Sequence, residues 1–527
     1  MTDRIDDALR KGLSAAAAQA LSEWAAINDL HYWLDRWLDN GRSGAVVAVV
    51  NETDNHSRTA RKVIMKIAAA PVAGLDRIEY ARHRKAIKEA PDFAAEHLST
   101  PVGQPVRVGD GTWITFQTVA GDTFDELQVL AVLLRRLVHR TPAAPGRPVC
   151  SAEVLTTTCV DVVHGVLYDW AVTGYISMEK PALTVKEFFD LHLGGRMDPG
   201  GPLDKYARLH QGEEIQFDGE TDPLPNPFAV AQGRYFAEKP FLRPLLGKCH
   251  GDLHSDNILV RVLPSAAISN YYLIDNALYN AEGVLTASPV YLLLHIVARS
   301  MDAVRSQWDA LIELFIEPQT GPAALVPGWL SGIIAGVDRK SAEWIGPSGL
   351  KSEWRVQTLL SMAACALVFA GRDSVPEADK PWFLRLAARA LARFSETHPH
   401  LRGDQEPTEP EGSRQVSWIG RLCQDYPNVS GALDDPEGNP DLDELRRAAL
   451  GGLDRTDHYR EFVRRIGGPD PDTRYGTRGT EGAPVVGEAY VCPLELCDRR
   501  ERREPGCAVP NCHLPQDGPV AMRQVFR

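Results

Sequence analysis

The run His250-Gly251-Asp252-Leu253-His254-Ser255-Asp256-Asn257-Ile258-Leu259-Val260, followed by Tyr271-Tyr272-Leu273-Ile274-Asp275, sets an acid and an amide five residues apart and a second acid at the end of an apolar run. Phosphoryl transfer needs these groups. A carboxylate must orient an attacking hydroxyl and accept its proton, and oxygen ligands must hold a magnesium ion that bridges the nucleotide phosphates and offsets their charge. Asp252 fits the first task, and Asn257 and Asp275 fit the second. Gly, Asp, Asn and His are also ordinary turn residues, so a Gly-Asp pair alone would say little. The whole string with its trailing Leu-Ile-Asp points to the transfer chemistry.

Upstream segments supply the remaining parts. Lys66 lies in the β-branched run Val63-Ile64-Met65-Lys66-Ile67, where it is expected to hold the nucleotide phosphates rather than to be merely solvated. It needs a carboxylate from the next helix. Glu79 is the expected partner, with Glu89 as the alternative, although an exposed Glu79 pairing with Arg82 or His83 would be the plain reading. Gly41, Ser43 and Gly44 make a short Gly-x-x-Gly loop before a strand, able to cover phosphates or simply to turn the chain.

The positioning elements follow from periodicity. Residues 1–38 are expected to be a helical segment, with Leu21, Trp24, Ala25, Ile27, Leu34 and Trp37 near helical spacing. Gly44–Val50 and Val63–Ile67 read as strands around a polar turn over Asn51–Arg61. Gln104–Val108 and Trp113–Val119 form a second pair across Gly109-Asp110-Gly111. Residues 39–121 thus form a small antiparallel-sheet lobe. Residues 122–398 form a mostly helical one, with a helix expected over Leu127–Val138 and helices over 285–397 broken at Gly321 and near Gly346. Pro, Gly and acids mark 399–438 as a linker, Asn439-Pro440 opens a small helical unit over 439–467, and a second Gly/Pro-rich linker precedes the tail 485–527.

Composition narrows the function classes. The net charge of -13 disfavours a general nucleic-acid binder, and 44% hydrophobic with 24% charged residues is an ordinary globular composition. The longest apolar stretch, Thr358–Gly371, is too short for a membrane span and reads as a buried helix. No apolar signal core follows the charged Met1 segment, so the cytoplasm is the expected location.

The tail carries Cys492-x4-Cys497-x9-Cys507-x4-Cys512-His513 with prolines and a glycine at its turns. Four thiolates in paired short spacings suit a tetrahedral structural Zn2+, with His513 as a possible substitute, and a segment this short needs a staple. Two disulfides are the alternative, which a cytosolic chain would not keep. Mixed charges at Arg499, Arg500, Glu501, Arg502, Arg503 and Glu504 favour a solvated face or a protein partner. Cys150, Cys159, Cys249, Cys365 and Cys423 are scattered and read as small apolar residues.

The His-Gly-Asp-Leu-His-x-x-Asn-Ile-Leu string with the later Ile-Asp resembles aminoglycoside phosphotransferases and choline kinase-like enzymes over roughly residues 35 to 395. A finer resemblance is to the ternary-complex-associated kinase-like branch of bacterial conflict systems. It is carried by Gly41-Arg42-Ser43-Gly44-Ala45, Glu79 through Arg82-His83, Ala90-Pro91-Asp92-Phe93 and Glu96-His97-Leu98. The resemblance implies an α+β, two-lobed protein-kinase-like fold, followed here by the helical unit and the zinc-knuckle tail. It implies Asp252 as catalytic base, Mg2+ on Asn257 and Asp275, and the α and β phosphates of ATP on Lys66 braced by Glu79. Gln117–Val119 would be the interlobe hinge that meets adenine, and His250 and His254 would shape the loop. The chain departs from the family at Asn276-Ala277 after the metal acid. It departs again at Ser288-Pro289-Val290-Tyr291-Leu292, where relatives often carry an acid that braces the catalytic loop.

The leading expectation is an ATP- and Mg-dependent phosphotransferase acting on a hydroxyl of a small molecule or partner protein. The alternative is a catalytically weak nucleotide-binding adaptor that assembles a signalling or defence complex through residues 439–527.

Overall fold

The computed structural model describes residues 4–38, 45–69, 79–109, 111–119, 126–140, 150–171, 180–263, 270–402, 422, 440–450, 456–465 and five short strands between 488 and 525. Two compact units form: Met1–Ile345 with Ser352–Thr397, and Gly346–Lys351 with His398–Arg527.

The first unit begins with α1 (Asp7–Gly12), α2 (Ala15–Ile27), β1 (Leu30–Leu38), β2 (Val46–Asp54), β3 (Thr59–Ala69), α3 (Glu79–Glu89), α4 (Pro91–His97), β4 (Pro101–Arg107) and β5 (Thr112–Thr118). The strands make an antiparallel sheet in the order β1-β2-β3-β5-β4. Residues 30–38 are therefore strand, not the end of a helix. Asn28 closes α2, and Asp29 takes a left-handed backbone at φ 53, which turns the chain back. The aromatic run Tyr32, Trp33 and Trp37 then suits a pleated surface better than a helix. Tyr32 is buried against Phe116, with ring centroids 5.0 Å apart, and donates to Glu52 Oε2 at 2.8 Å.

The turn between β2 and β3 is shorter than the polar run predicted. Asp54 Oδ1 accepts from the backbone N–H of His56 at 2.8 Å and Ser57 at 3.2 Å, so both strands extend into the polar residues. Alternation gives β3 two faces. Val63, Met65 and Ile67 enter the core with Ala48, Val50, Leu9, Leu21 and Ala25, so α1 and α2 cover that side of the sheet. Ile64 points to the opposite face, where it packs with Val49, Val119, Leu38 and Val47. Lys66, two residues on, shares that face.

The unit continues with β6 (Leu127–Val129), α5 (Leu130–Val138), α6 (Ala152–Gly165), α7 (Val185–Leu193), α8 (Asp204–Leu209), β7 (Glu214–Ile215), β8 (Leu224–Pro225), α9 (Pro227–Ala231), β9 (Leu246–Cys249), β10 (Ile258–Arg261), β11 (Tyr271–Leu273) and β12 (Asn280–Val284). It closes with α10 (Ala287–Val304), α11 (Trp308–Ile316), α12 (Gly328–Ile345), α13 (Lys351–Ala370) and α14 (Lys380–Thr397). The expected helix over 127–138 opens as strand, because Leu127–Val129 pairs with β10. The apolar stretch at 358–371 lies in α13, whose Leu359 through Ala370 are all buried. Cys159, Cys249 and Cys365 are buried free thiols, and Cys150 is half-buried. The architecture is α+β: an antiparallel sheet followed by a largely helical half.

In the second unit, α15 (Pro440–Leu450) and α16 (Thr456–Arg465) bury Leu442, Leu445, Tyr459 and Phe462. Glu488–Val491 pairs with Arg500–Arg503 and Arg523–Val525. Cys492, Cys497 and Cys507 lie outside the described residues, as do Gly41, Ser43 and Gly44. Cys512 is described only as backbone, in a short strand with Asn511. Among the described residues, no helix is long and apolar enough to cross a membrane.

Candidate active site

Residues 250–257 form a loop between β9 and β10, and Asp275 follows β11, which pairs with β10. Backbone bonds join the two acidic segments: Ile274 N–H donates to Asn257 O at 3.0 Å. His250 is fully buried and bridges them. Its Nε2–H donates to Ile274 O at 3.0 Å, which leaves Nδ1 to accept the Asp252 N–H at 3.3 Å. Gly251 has φ +79, and a Cβ there would stand 2.0 Å from Leu278 O. Only glycine lets the chain pass so close to the segment after Asp275.

Lys66 reaches this loop from the sheet. Its Nζ lies 2.5 Å from Glu79 Oε2 and 3.2 Å from Asp275 Oδ1. Burial disfavours the ammonium, but the two carboxylates outweigh it and hold the Lys66 pKa above the ordinary lysine value. Burial raises the Glu79 carboxyl even with Lys66 beside it. Glu89, the alternative partner, instead accepts from Tyr279 OH at 2.5 Å. Asp275 occupies the left-handed region at φ 61, which short polar side chains tolerate.

Asp252 is flanked by His254 and Arg372. The Asp256 N–H donates to His254 Nδ1 at 3.2 Å, so His254 Nε2–H faces Asp252 Oδ2 at 3.4 Å. Arg372 lies 3.9 Å from Asp252 Oδ1, and its guanidinium sits over the rings of Phe369 and Tyr291 at 4.7 and 5.1 Å. Burial alone would raise the Asp252 carboxyl, but His254, His250 and Arg372 together bring it below its ordinary value. Asn257 donates through Nδ2 to Asp252 O at 3.1 Å. That fixes the amide with Nδ2 turned to the loop, and its oxygen would be the atom able to meet a cation. A carboxylate and an amide oxygen are a hard donor set suited to Mg2+. Gln117 lies on β5 opposite Ile64, and Val119 is buried beside Val49 and Ile64 on the Lys66 face of the sheet.

Several supporting residues have no site role in the sequence reading, where Arg82, His83 and His97 enter only as a pairing for Glu79 or as parts of a motif, and Trp170 and Arg372 do not enter. Arg82 donates to Ala277 O at 2.5 Å, and His83 beside it is buried. Both lie three and four residues after Glu79, so helical spacing would have placed them on the face that meets the Asp275 segment. His97 donates through Nδ1 to Tyr271 O at 3.0 Å and stacks on that ring at 4.1 Å. Trp170 sits in a π-helical turn, Val166–Ala171, between Phe93 and Tyr279 at 4.7 and 5.6 Å. Arg372 follows a helix with no local motif, and nothing in the sequence marks it.

No protein-family model and no curated protein matches the chain. Solved structures similar to it include a glucosamine kinase, at 12% identity and TM-score 0.33, covering 70% of this chain and 94% of that one. Another is the amicoumacin kinase hAmiN in complex with AMP-PNP, Ca2+ and Ami, at 11% identity and TM-score 0.27, covering 74% of this chain and 97% of that one. The arrangement of Lys66, Glu79, Asp252 and Asp275, rather than these likenesses, bears on function.

Proposed function

We propose that the chain is an ATP- and Mg-dependent phosphotransferase of protein-kinase-like fold that moves the γ-phosphoryl group to a hydroxyl acceptor. The observation that carries this reading is Lys66 Nζ held between Glu79 and Asp275, with the Asp275 segment tied by hydrogen bonds to the Asp252–Asn257 loop. In this reading Lys66 holds the α and β phosphates, and Glu79 keeps its ammonium aimed at them. Val47, Val49, Ile64 and Val119 pack as an apolar cluster on the Lys66 side of the sheet, the side on which this reading seats the purine. Gly41, Ser43 and Gly44 are the residues this reading assigns to phosphate binding, and Gln117–Val119 those it assigns to the adenine edge.

Asn257 and Asp275 would hold Mg2+, which supplies charge neutralisation at the transferring group. Asp252 orients the acceptor hydroxyl and takes its proton. Its lowered pKa keeps it ionised at neutral pH, the form that can accept a proton. The decisive experiment is Mg-dependent ATP turnover by the purified chain. Asp252→Asn should lose about 10²–10⁴-fold, the usual contribution of a positioned base. Equal turnover in both proteins would leave the adaptor reading, which the second compact unit favours. In either reading residues 439–527 dock protein partners, with Zn2+ on Cys492, Cys497, Cys507 and Cys512, in a cytoplasmic protein akin to the conflict-system branch.

A further inference from the structure

The acid that relatives place before the Pro-x-Tyr-Leu turn is Ser288 here, an uncharged and buried residue. The catalytic loop is nevertheless gripped by the same helix, two and three turns further along. His295 and Arg299 lie one turn apart on α10, on one face. His295 Nδ1 lies 2.9 Å from Ser255 Oγ, and its Nε2 lies 3.5 Å from Asp256 Oδ2. Arg299 donates to that same Asp256 oxygen. The His295 ring also stacks on His254 at 4.6 Å, and His254 is the residue whose Nε2–H faces Asp252. From the other side, the Ala131 N–H at the start of α5 donates to Ser255 O at 3.0 Å. Ser255 and His295 are both essentially sealed from solvent, at 0% and 1% exposure.

We infer that His295 and Arg299 are positioning residues that set the catalytic loop, Arg299 through Asp256 and His295 through Ser255 and His254. The inference rests on the phosphotransferase reading for its rate consequences, but not for its structural ones. His254, Asp256 and His295 also present metal-type ligand atoms within 4.8 Å of one another. A cation there would have to displace the Arg299 guanidinium from Asp256 Oδ2, so the geometry favours a brace over a metal centre. Asp256 precedes Asn257 directly, so a shift of Asp256 moves the magnesium ligand and, through the Asn257–Asp252 bond, the base.

The full chain tests this. In Arg299→Gln, kcat for Mg-dependent ATP turnover should fall about 10–100-fold while KM for ATP stays within about threefold, because a misplaced loop costs rate more than nucleotide binding. Arg299→Lys should recover most of the loss. Asp256→Asn should cost as much as Arg299→Gln, and the double variant no more than either. An unchanged kcat, or additive losses, overturns the brace. If Arg299→Gln does not fold, His295→Gln serves in the same comparison. Amide hydrogen exchange at residues 252–257 reads the loop without turnover. Faster exchange confined to that loop in Arg299→Gln, with the surface variant Arg393→Gln as control, supports the brace. It does so even if the wild-type chain turns over no ATP, in which case only the phosphotransferase reading fails. Unchanged exchange overturns the brace.

Discussion

Lys66 and Asp275 stand 209 positions apart in the chain, yet Nζ and Oδ1 meet at 3.2 Å, with Glu79 completing the contact from α3. One ammonium thus joins the sheet, the first helix after it and the loop that follows β11. Lys66→Met would leave two carboxylates facing each other without their cation. Turnover should fall at least about 10²-fold, as on removal of a donor aimed at developing charge. Glu79→Gln keeps the shape and should cost less. Calorimetric ATP affinity together with steady-state rates checks both, and equal effects of the two variants would contradict the roles given to them.

Gly251→Ala should be among the most damaging small substitutions. It combines a positive φ with a Cβ 2.0 Å from a backbone oxygen. The loss should be at least about 2 kcal/mol of stability, read by denaturant unfolding, with turnover lost as well. A variant as stable as the parent would mean that the loop does not pass Leu278 in this way.

Acidification should destabilise the protein through its buried histidines. Burial holds His83 and His295 down to about 4, against an ordinary histidine value of 6.5. In the unfolded chain they protonate near 6.5, so the unfolded state binds more protons between those values and stability falls as pH drops through that window. Each histidine contributes roughly 3 kcal/mol to that fall. Asp252, whose folded pKa is depressed, adds a further loss at lower pH, below its unfolded value. Melting temperatures from pH 7 to 4 check this. His83→Gln should flatten the slope, and an unchanged slope would refute the assignment.

For the tail, metal analysis of the purified chain should find about one zinc per chain, the usual stoichiometry of a four-thiolate site. Cys507→Ser should lose it. A metal-free tail of unchanged structure would remove zinc from the account.

The sequence by itself marked the residues proposed for the chemistry, because their types and local spacing match what a phosphate and magnesium site would require. His250 to Val260, Lys66 within its β-branched run, and the strand alternation around it were all legible. Lys66 falls on the face opposite Met65 because side chains alternate along a strand. The sequence also marked the buried helix around Thr358 to Ala370. Only the tertiary structure decided that Leu30–Leu38 is an edge strand, since aromatic residues at that spacing satisfy either period until a neighbouring strand pairs with them. Only it chose Glu79 over Glu89, two acids on one helix distinguished by what each meets. It alone brought Arg372 to Asp252, and His295 with Arg299 to the loop. Those contacts join segments far apart in sequence, and the physical reason for them, packing of α10 and α13 against the loop, leaves no local pattern to read.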